Sequence, residues 1–111
     1  MNMDITTKAI QGKGVRLSIL DNGAEVGRAF VYFLHNDLHE HAFGFLEDVF
    51  VEETQRGKGY GKSLVARAIE EAKKAGCYKL ICTSRYSKEF VHALYTNAGF
   101  KDHGKEFRID F

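Results

Sequence analysis

The sequence predicts an α/β fold built on a mixed sheet, with its elements in the order βββ-α-β-α-β. Three observations carry this. Apolar and polar residues alternate through the first half of the chain, the spacing changes at Gly61 to a helical period, and a short apolar run from Tyr78 to Cys82 follows that helix. A strand–helix–strand step of this length sets its two strands parallel, whereas strands joined by a tight turn lie antiparallel, so the sheet is mixed.

Val15, Leu17 and Ile19 alternate with polar residues, Asp21-Asn22-Gly23 offers a turn that tolerates positive φ, and Glu25 to Leu34 resumes as an apolar, aromatic-rich strand. This is the pattern of an antiparallel hairpin. The polar stretch His35 to His41 interrupts it, and Phe43 to Val51 reads as a third strand rich in phenylalanine and valine. Beyond Gly61, Leu64, Val65, Ala68, Ala72 and Ala75 share one helical face, Lys62, Arg67, Glu70, Glu71, Lys73 and Lys74 take the other, and Gly76 is placed to end the helix. Tyr78 to Cys82 then reads as a strand buried on both faces. Ser87 is placed to cap a second helix with the apolar face Phe90, Val91, Leu94 and Tyr95, closed by Gly99. Phe107, Ile109 and Phe111 alternate with Arg108 and Asp110, which predicts a terminal strand.

With 111 residues, 44% of them hydrophobic, the chain is long enough for one core and too short for two, and it has no proline, repeat or low-complexity linker. Residues 1–111 are therefore expected to form one domain. Sixteen basic and fifteen acidic residues leave a formal charge of +1, so nothing global attracts nucleic acid or an anionic membrane, and any anion site must be local. No apolar run reaches the ~20 residues that span a bilayer. Met1–Ile10 lacks the apolar stretch and cleavage pattern of a signal peptide, so a cytoplasmic protein is expected. Cys77 and Cys82, in the pattern C-x4-C within an apolar stretch, read as buried thiols.

Chemistry concentrates in Leu46 to Ser63, where a strand meets a helix through Gly57, Gly59 and Gly61 at alternate positions. Such a loop lets backbone N–H groups converge at the positive end of the helix and makes an anion cradle. A Walker A loop would need glycine where Arg56 stands, and a dinucleotide fingerprint starting at Gly57 would need glycine where Lys62 stands, so both fail. What the loop resembles is the [Gln/Arg]-x-x-Gly-x-[Gly/Ala] pattern of the GNAT superfamily of N-acetyltransferases, met by Arg56, Gly59 and Gly61. Downstream, Leu94-Tyr95-Thr96-Asn97-Ala98-Gly99-Phe100 resembles that superfamily's late aromatic-Tyr-x-x-x-Gly-Phe signature, with Leu94 in place of the aromatic. The resemblance covers residues 43 to 111, and Gly76-Cys77-Tyr78-Lys79 with Glu47-Asp48 is similar to the glucosamine-6-phosphate N-acetyltransferase branch.

The resemblance implies a GNAT-like fold lacking the N-terminal helix pair, acetyl-coenzyme A (acetyl-CoA) as acyl donor, no metal, and direct attack by a primary amine in a ternary complex. Val49, Phe50 and Val51 would line the coenzyme, with backbone groups of Val49 and Val51 meeting its pantetheine arm. The backbone of Arg56, Gly57, Lys58, Gly59, Tyr60, Gly61 and Lys62 would bind pyrophosphate, Arg56 and Lys58 adding positive charge. Tyr95 would act as general acid on the departing thiolate. Glu47 is the candidate base, because strand alternation puts it on the face of Val49 and Val51 and turns Asp48 away; a merely solvated carboxylate fits that position equally well.

Two departures bear on the acceptor. Many members have an asparagine seven residues before the tyrosine, where this chain has Lys88, and with only fourteen residues before Val15 the strand-helix-helix that walls the acceptor pocket in larger members is expected to be missing here. A homodimer is expected to cover Phe30, Tyr32 and the edge strand Phe107 to Phe111. A small amine, amino sugar, polyamine or peptide amine all fit as acceptor. Three other readings compete: a non-catalytic coenzyme-binding or protein-interaction module, a divalent metal site of His35, His39, His41 and Glu40, and an acyl-carrying Cys77.

Overall fold

The computed structural model describes residues 5–111, so the first four residues of the Met1–Ile10 stretch lie outside the described residues. The elements are β1 (Lys13–Asp21), β2 (Ala24–Leu34), β3 (Phe43–Val51), a 3₁₀ turn (Glu53–Gln55), α1 (Tyr60–Lys74), β4 (Leu80–Cys82) and α2 (Glu89–Asn97). The strands form one mixed sheet in the order β1-β2-β3-β4, antiparallel as far as β3 and parallel between β3 and β4. The hairpin turns at Asn22 and Gly23, whose φ values of 51° and 82° are the two positive angles a two-residue type I′ loop needs.

One face of the sheet carries the core. Ala29, Val31 and Leu46 meet Leu64, Val65 and Ala68 of α1, with Val15, Leu17, Ile19 and Phe33 packed around them. The buried residues of α1, Leu64, Val65, Ala68 and Ala72, are four of the five its periodicity selects; Ala75, the C-cap, is exposed. Burying each leucine or valine is worth ~1.5–3 kcal/mol, so packing rather than propensity holds the helix.

Both helices stop in a Schellman arrangement. After α1, Gly76 N–H donates to Lys73 O and Cys77 N–H to Ala72 O; after α2, Gly99 N–H donates to Thr96 O and Phe100 N–H to Tyr95 O. Each glycine takes the left-handed angle the motif requires, with φ 78° at Gly76 and 108° at Gly99.

The sheet breaks its own alternation twice, between β1 and β2 at Ile19/Leu20, where Val26 is the extra residue, and between β2 and β3 at Arg28/Phe30. Arg28 pairs with Phe50 and Phe30 with Glu47, so Asp48 and Val49 together oppose Ala29. This is a β-bulge, with Asp48 at φ 53°, an angle that aspartate tolerates better than most residues. The extra residue reverses the faces: Glu47 and Phe50 share the uncovered face with Phe30 and Arg28, while Val49 and Val51 pack toward the core. Glu47 therefore does not share the face of Val49 and Val51, as simple alternation predicts.

Other elements differ from expectation for local reasons. Residues 101–111 form no strand, so the predicted order loses its last β; Phe107, Ile109 and Phe111 keep their alternation but find no paired edge among the described residues. Strand β4 is short and buried on one face only, with Ile81 37% exposed because no described element covers its other side. Ser87 does not cap α2: Lys88 is the N-cap, without a side-chain bond, and the positions packed on the core are Leu94, Tyr95 and Ala98, leaving Phe90 92% exposed. Cys77 and Cys82 are free and half-buried, not fully buried; burial raises both thiols, Cys82 to about 11.

Candidate active site

Strands β3 and β4 pair only from Gly44↔Leu80 to Leu46↔Cys82, although β3 continues to Val51. Past Leu46 the edge of β3 that faced β4 has no strand beside it among the described residues. The bulge at Asp48 falls in this stretch and adds to the divergence.

The gap is a cleft of about 210 Å³ lined by Leu46, Glu47, Asp48, Thr83, Ser84, Arg85, Tyr95, Glu106 and Arg108. It brings together Glu47 and Tyr95, forty-eight positions apart in the chain and carried by different elements. The two motif ends of α2 explain how Tyr95 is held. Its carbonyl accepts the Phe100 N–H of the helix cap, and the Phe100 ring folds back onto the Tyr95 ring at 5.6 Å between centroids. Gly99 and Phe100 thus clamp the tyrosine at the cleft wall. Burial, and then the neighbouring Cys82 thiol, push the Tyr95 hydroxyl up to about 12, so it stays a neutral proton donor at physiological pH.

The cleft also contains residues that were not among the expected site residues. Asp48 lines it instead of turning away, because of the bulge. Thr83, Ser84 and Arg85 come from the segment after β4, and Glu106 and Arg108 from the segment after α2. Their one sequence signal was the polar side of the alternation in Glu106 to Phe111.

At the other end of the open β3 edge lies the glycine loop. Gly57 and Gly59 adopt φ 83° and 81°, and Gly59 is the N-cap of α1. The first intrahelical bond runs from Ser63 N–H to Gly59 O, which leaves the N–H groups of Tyr60, Gly61 and Lys62 without intrahelical acceptors. No side chain caps this terminus and no acidic residue occupies its first turn. Free N–H groups, a positive helix end and the absence of a competing carboxylate make an anion cradle. Lys58 Nζ donates to Gln55 Oε1 at 2.7 Å beside it. Arg56 folds back, its Nε donating to Val51 O at 3.0 Å, so the carbonyl expected to meet a pantetheine arm is held by this arginine.

A larger groove of about 430 Å³ lies on the uncovered face, lined by residues of β1 and β2 together with Gly12. It contains neither Glu47 nor Tyr95, and its Arg16 is already paired with Glu25 at 2.6 Å. In the loop before β3 the His35 ring lies 2.6 Å from His39 O, and His39 stacks on Tyr78. Among the described residues no three His, Cys, Asp or Glu side chains gather as metal ligands would.

Residues 5–100 match the acetyltransferase (GNAT) family. The chain is 41% identical over 70 residues to the probable glucosamine 6-phosphate N-acetyltransferase 2 of Oryza sativa subsp. japonica, a match covering 61% of this chain and 39% of that protein. It is 30% identical over 103 residues to the aminoglycoside N(6′)-acetyltransferase type 1 of Stenotrophomonas maltophilia, covering 89% of this chain and 67% of that one. A putative acetyltransferase from Agrobacterium tumefaciens str. C58 has the same fold, with a TM-score of 0.82 at 31% identity over 88% of this chain and 69% of that one. The chain spans 39% to 45% of the length of the glucosamine 6-phosphate N-acetyltransferases from rice and Trypanosoma brucei brucei that it matches.

Proposed function

This chain belongs to the acetyltransferase (GNAT) family, and from that premise we propose that it transfers the acetyl group of acetyl-CoA to a primary amine by direct attack in a ternary complex. The observation that carries the reading is the open edge of β3, with the cleft of Glu47 and Tyr95 at one end and the N–H cradle of α1 at the other. Four residue steps from Glu47 to Val51 span roughly 13 Å, a reach suited to an extended pantetheine arm between a bound pyrophosphate and a reacting thioester. The Val51 carbonyl has a second lone pair for the arm, so Arg56 keeps its bond as the arm arrives.

In this reading the amine nitrogen attacks the thioester carbon, the C–S bond breaks, and Tyr95 donates its hydroxyl proton to the departing thiolate. Glu47, exposed at the mouth of the cleft, passes the amine's proton through water to solvent. Residues 1–111 act as one domain in this proposal, and the protein works in the cytoplasm; among the described residues no helix is long and apolar enough to cross a membrane. The acceptor is a small-molecule or peptide amine.

An acceptor screen with acetyl-CoA, following thiol release, tests the proposal. Release that depends on at least one amine is expected, well above slow hydrolysis. Coenzyme binding with no amine-dependent release across sugar, aliphatic, polyamine and peptide acceptors would instead make the chain a non-catalytic coenzyme-binding module.

A homodimer belongs to the same proposal. Tyr32 and Leu34, each 38% exposed, lie on the uncovered sheet face, and Phe107, Ile109 and Phe111 project from the segment after α2. Sedimentation is expected to show a mass that rises to that of two chains with concentration, and a monomer at all concentrations would reject it.

A further inference from the structure

On the uncovered face of the sheet two arginines close on one phenylalanine. The guanidinium carbon of Arg28 lies 4.6 Å from the centroid of the Phe50 ring, and that of Arg56 lies 5.8 Å from the same centroid. Arg28 is there because the register beyond the bulge sets it opposite Phe50. Arg56 is there because its Nε is tied to Val51 O, a bond that uses neither of its Nη groups.

Among the described residues neither arginine forms an ion pair. The carboxylate that senses Arg28, Glu25, is taken: Arg16 and Ser18 both bond it at 2.6 Å and, ahead of the weaker influence of Arg28, hold it at about 2. Arg16 offers a contrast, since that arginine also lies over a ring, Phe30 at 5.1 Å, but has its counter-charge in Glu25. Two guanidinium groups within about 6 Å of one ring centroid are like charges without an ion-pair partner, and an anion that both reach would offset their repulsion. The planar fork of donors on each matches the oxygens of a phosphate. The chain runs from Arg56 directly into Gly57, so the pair adjoins the cradle without being part of it.

We propose that Arg28 and Arg56, gathered on Phe50, form a second phosphate site that takes the phosphate monoester on the coenzyme's ribose. The inference rests on the reading that the α1 cradle holds the coenzyme's pyrophosphate, and it makes Arg28 a residue that selects the donor carrying a third phosphate. It also gives the bulge a second consequence: the insertion that opens the cleft at Asp48 puts Phe50 beneath Arg28.

Calorimetry with coenzyme A and 3′-dephospho-coenzyme A tests this on the full chain. The parent is expected to bind coenzyme A roughly 10- to 100-fold more tightly than the dephospho form, the range that charge-assisted hydrogen bonds supply, with a preference that shrinks as salt rises. Arg28→Gln should bring the two affinities close together by weakening only coenzyme A, and Arg28→Lys, which keeps the charge but not the fork, should retain part of the preference. Lys13→Gln, which removes a positive charge from β1 without freeing a carboxylate, should leave the preference unchanged. Equal binding of the two ligands by the parent, or a preference that survives Arg28→Gln, overturns the inference and leaves the cradle reading standing. Binding of neither ligand overturns the cradle reading and this inference together.

Discussion

Tyr95→Phe is expected to lower turnover by roughly 10²- to 10⁴-fold, the range that a positioned general acid supplies, with coenzyme affinity close to that of the parent. The substitution keeps the ring, its tilted contact with Phe100 and its place against the core, and removes only the hydroxyl. A tyrosine that serves packing alone would lose little. The titration of Tyr95 gives a second check. Burial raises its folded value to about 12, against a usual 10, so the acid remains protonated across the neutral and moderately alkaline range. Its ionisation should then contribute no fall in parental turnover until pH approaches 12. The sign for stability follows from the same shift. Because the folded value lies above the unfolded one, the contribution of Tyr95 to stability is whole below pH 10 and is lost as pH rises toward 12. Tyr95→Phe should lack that part of the alkaline decline. Near-parental turnover with chemistry shown to limit the rate would reduce Tyr95 to a core aromatic and pass proton delivery to water.

The parts of this molecule that are legible in its sequence are those set by neighbours in the chain. Asn22-Gly23 forms its turn because both residues accept positive φ, and α1 forms where its apolar period lies, whatever packs on it. The pairing of β3 and β4 follows from a crossover of that length. Glu47 and Tyr95 could be brought into one cleft in advance only because two separated motifs resembled a known family. What stayed hidden depends on partners. The bulge at Asp48 exists because β2 offers one residue where β3 offers two, and period-two alternation carries no sign of it, so the faces of Glu47 and Phe50 came out reversed. The alternation of Phe107, Ile109 and Phe111 is a strand pattern that names no edge to pair with, and its charged side, Glu106 and Arg108, lines the cleft instead. Phe90 shows the same limit on a helix: α2 packs through Leu94, Tyr95 and Ala98, and its first turn, with Phe90, has no described element over it.

Gly59→Val is expected to weaken coenzyme binding by roughly 10- to 100-fold for each N–H···phosphate hydrogen bond that can no longer form, while the fold and its cooperative unfolding persist. Space is not the reason. A Cβ built on Gly59 would meet no atom within 4 Å, so in the free protein the valine methyl groups would enter open solvent. The backbone angle is the reason. Gly59 sits at φ 81°, a left-handed conformation that costs an ordinary residue about 1–2 kcal/mol and a β-branched one more. The loop lies outside the core and relieves that strain by turning residue 59 toward negative φ. Doing so rotates the peptide that leads into α1 and swings the Tyr60 and Gly61 N–H groups off a common point, which is what an anion cradle cannot tolerate. Asparagine accepts left-handed φ far better than valine, so Gly59→Asn should keep much more of the affinity at similar side-chain size, separating backbone angle from bulk. Calorimetric titration of coenzyme A into the parent and both variants reads this directly. Unchanged affinity in Gly59→Val would remove the loop from the coenzyme site, and equal weakening in the two variants would show that bulk, not φ, is what the position excludes.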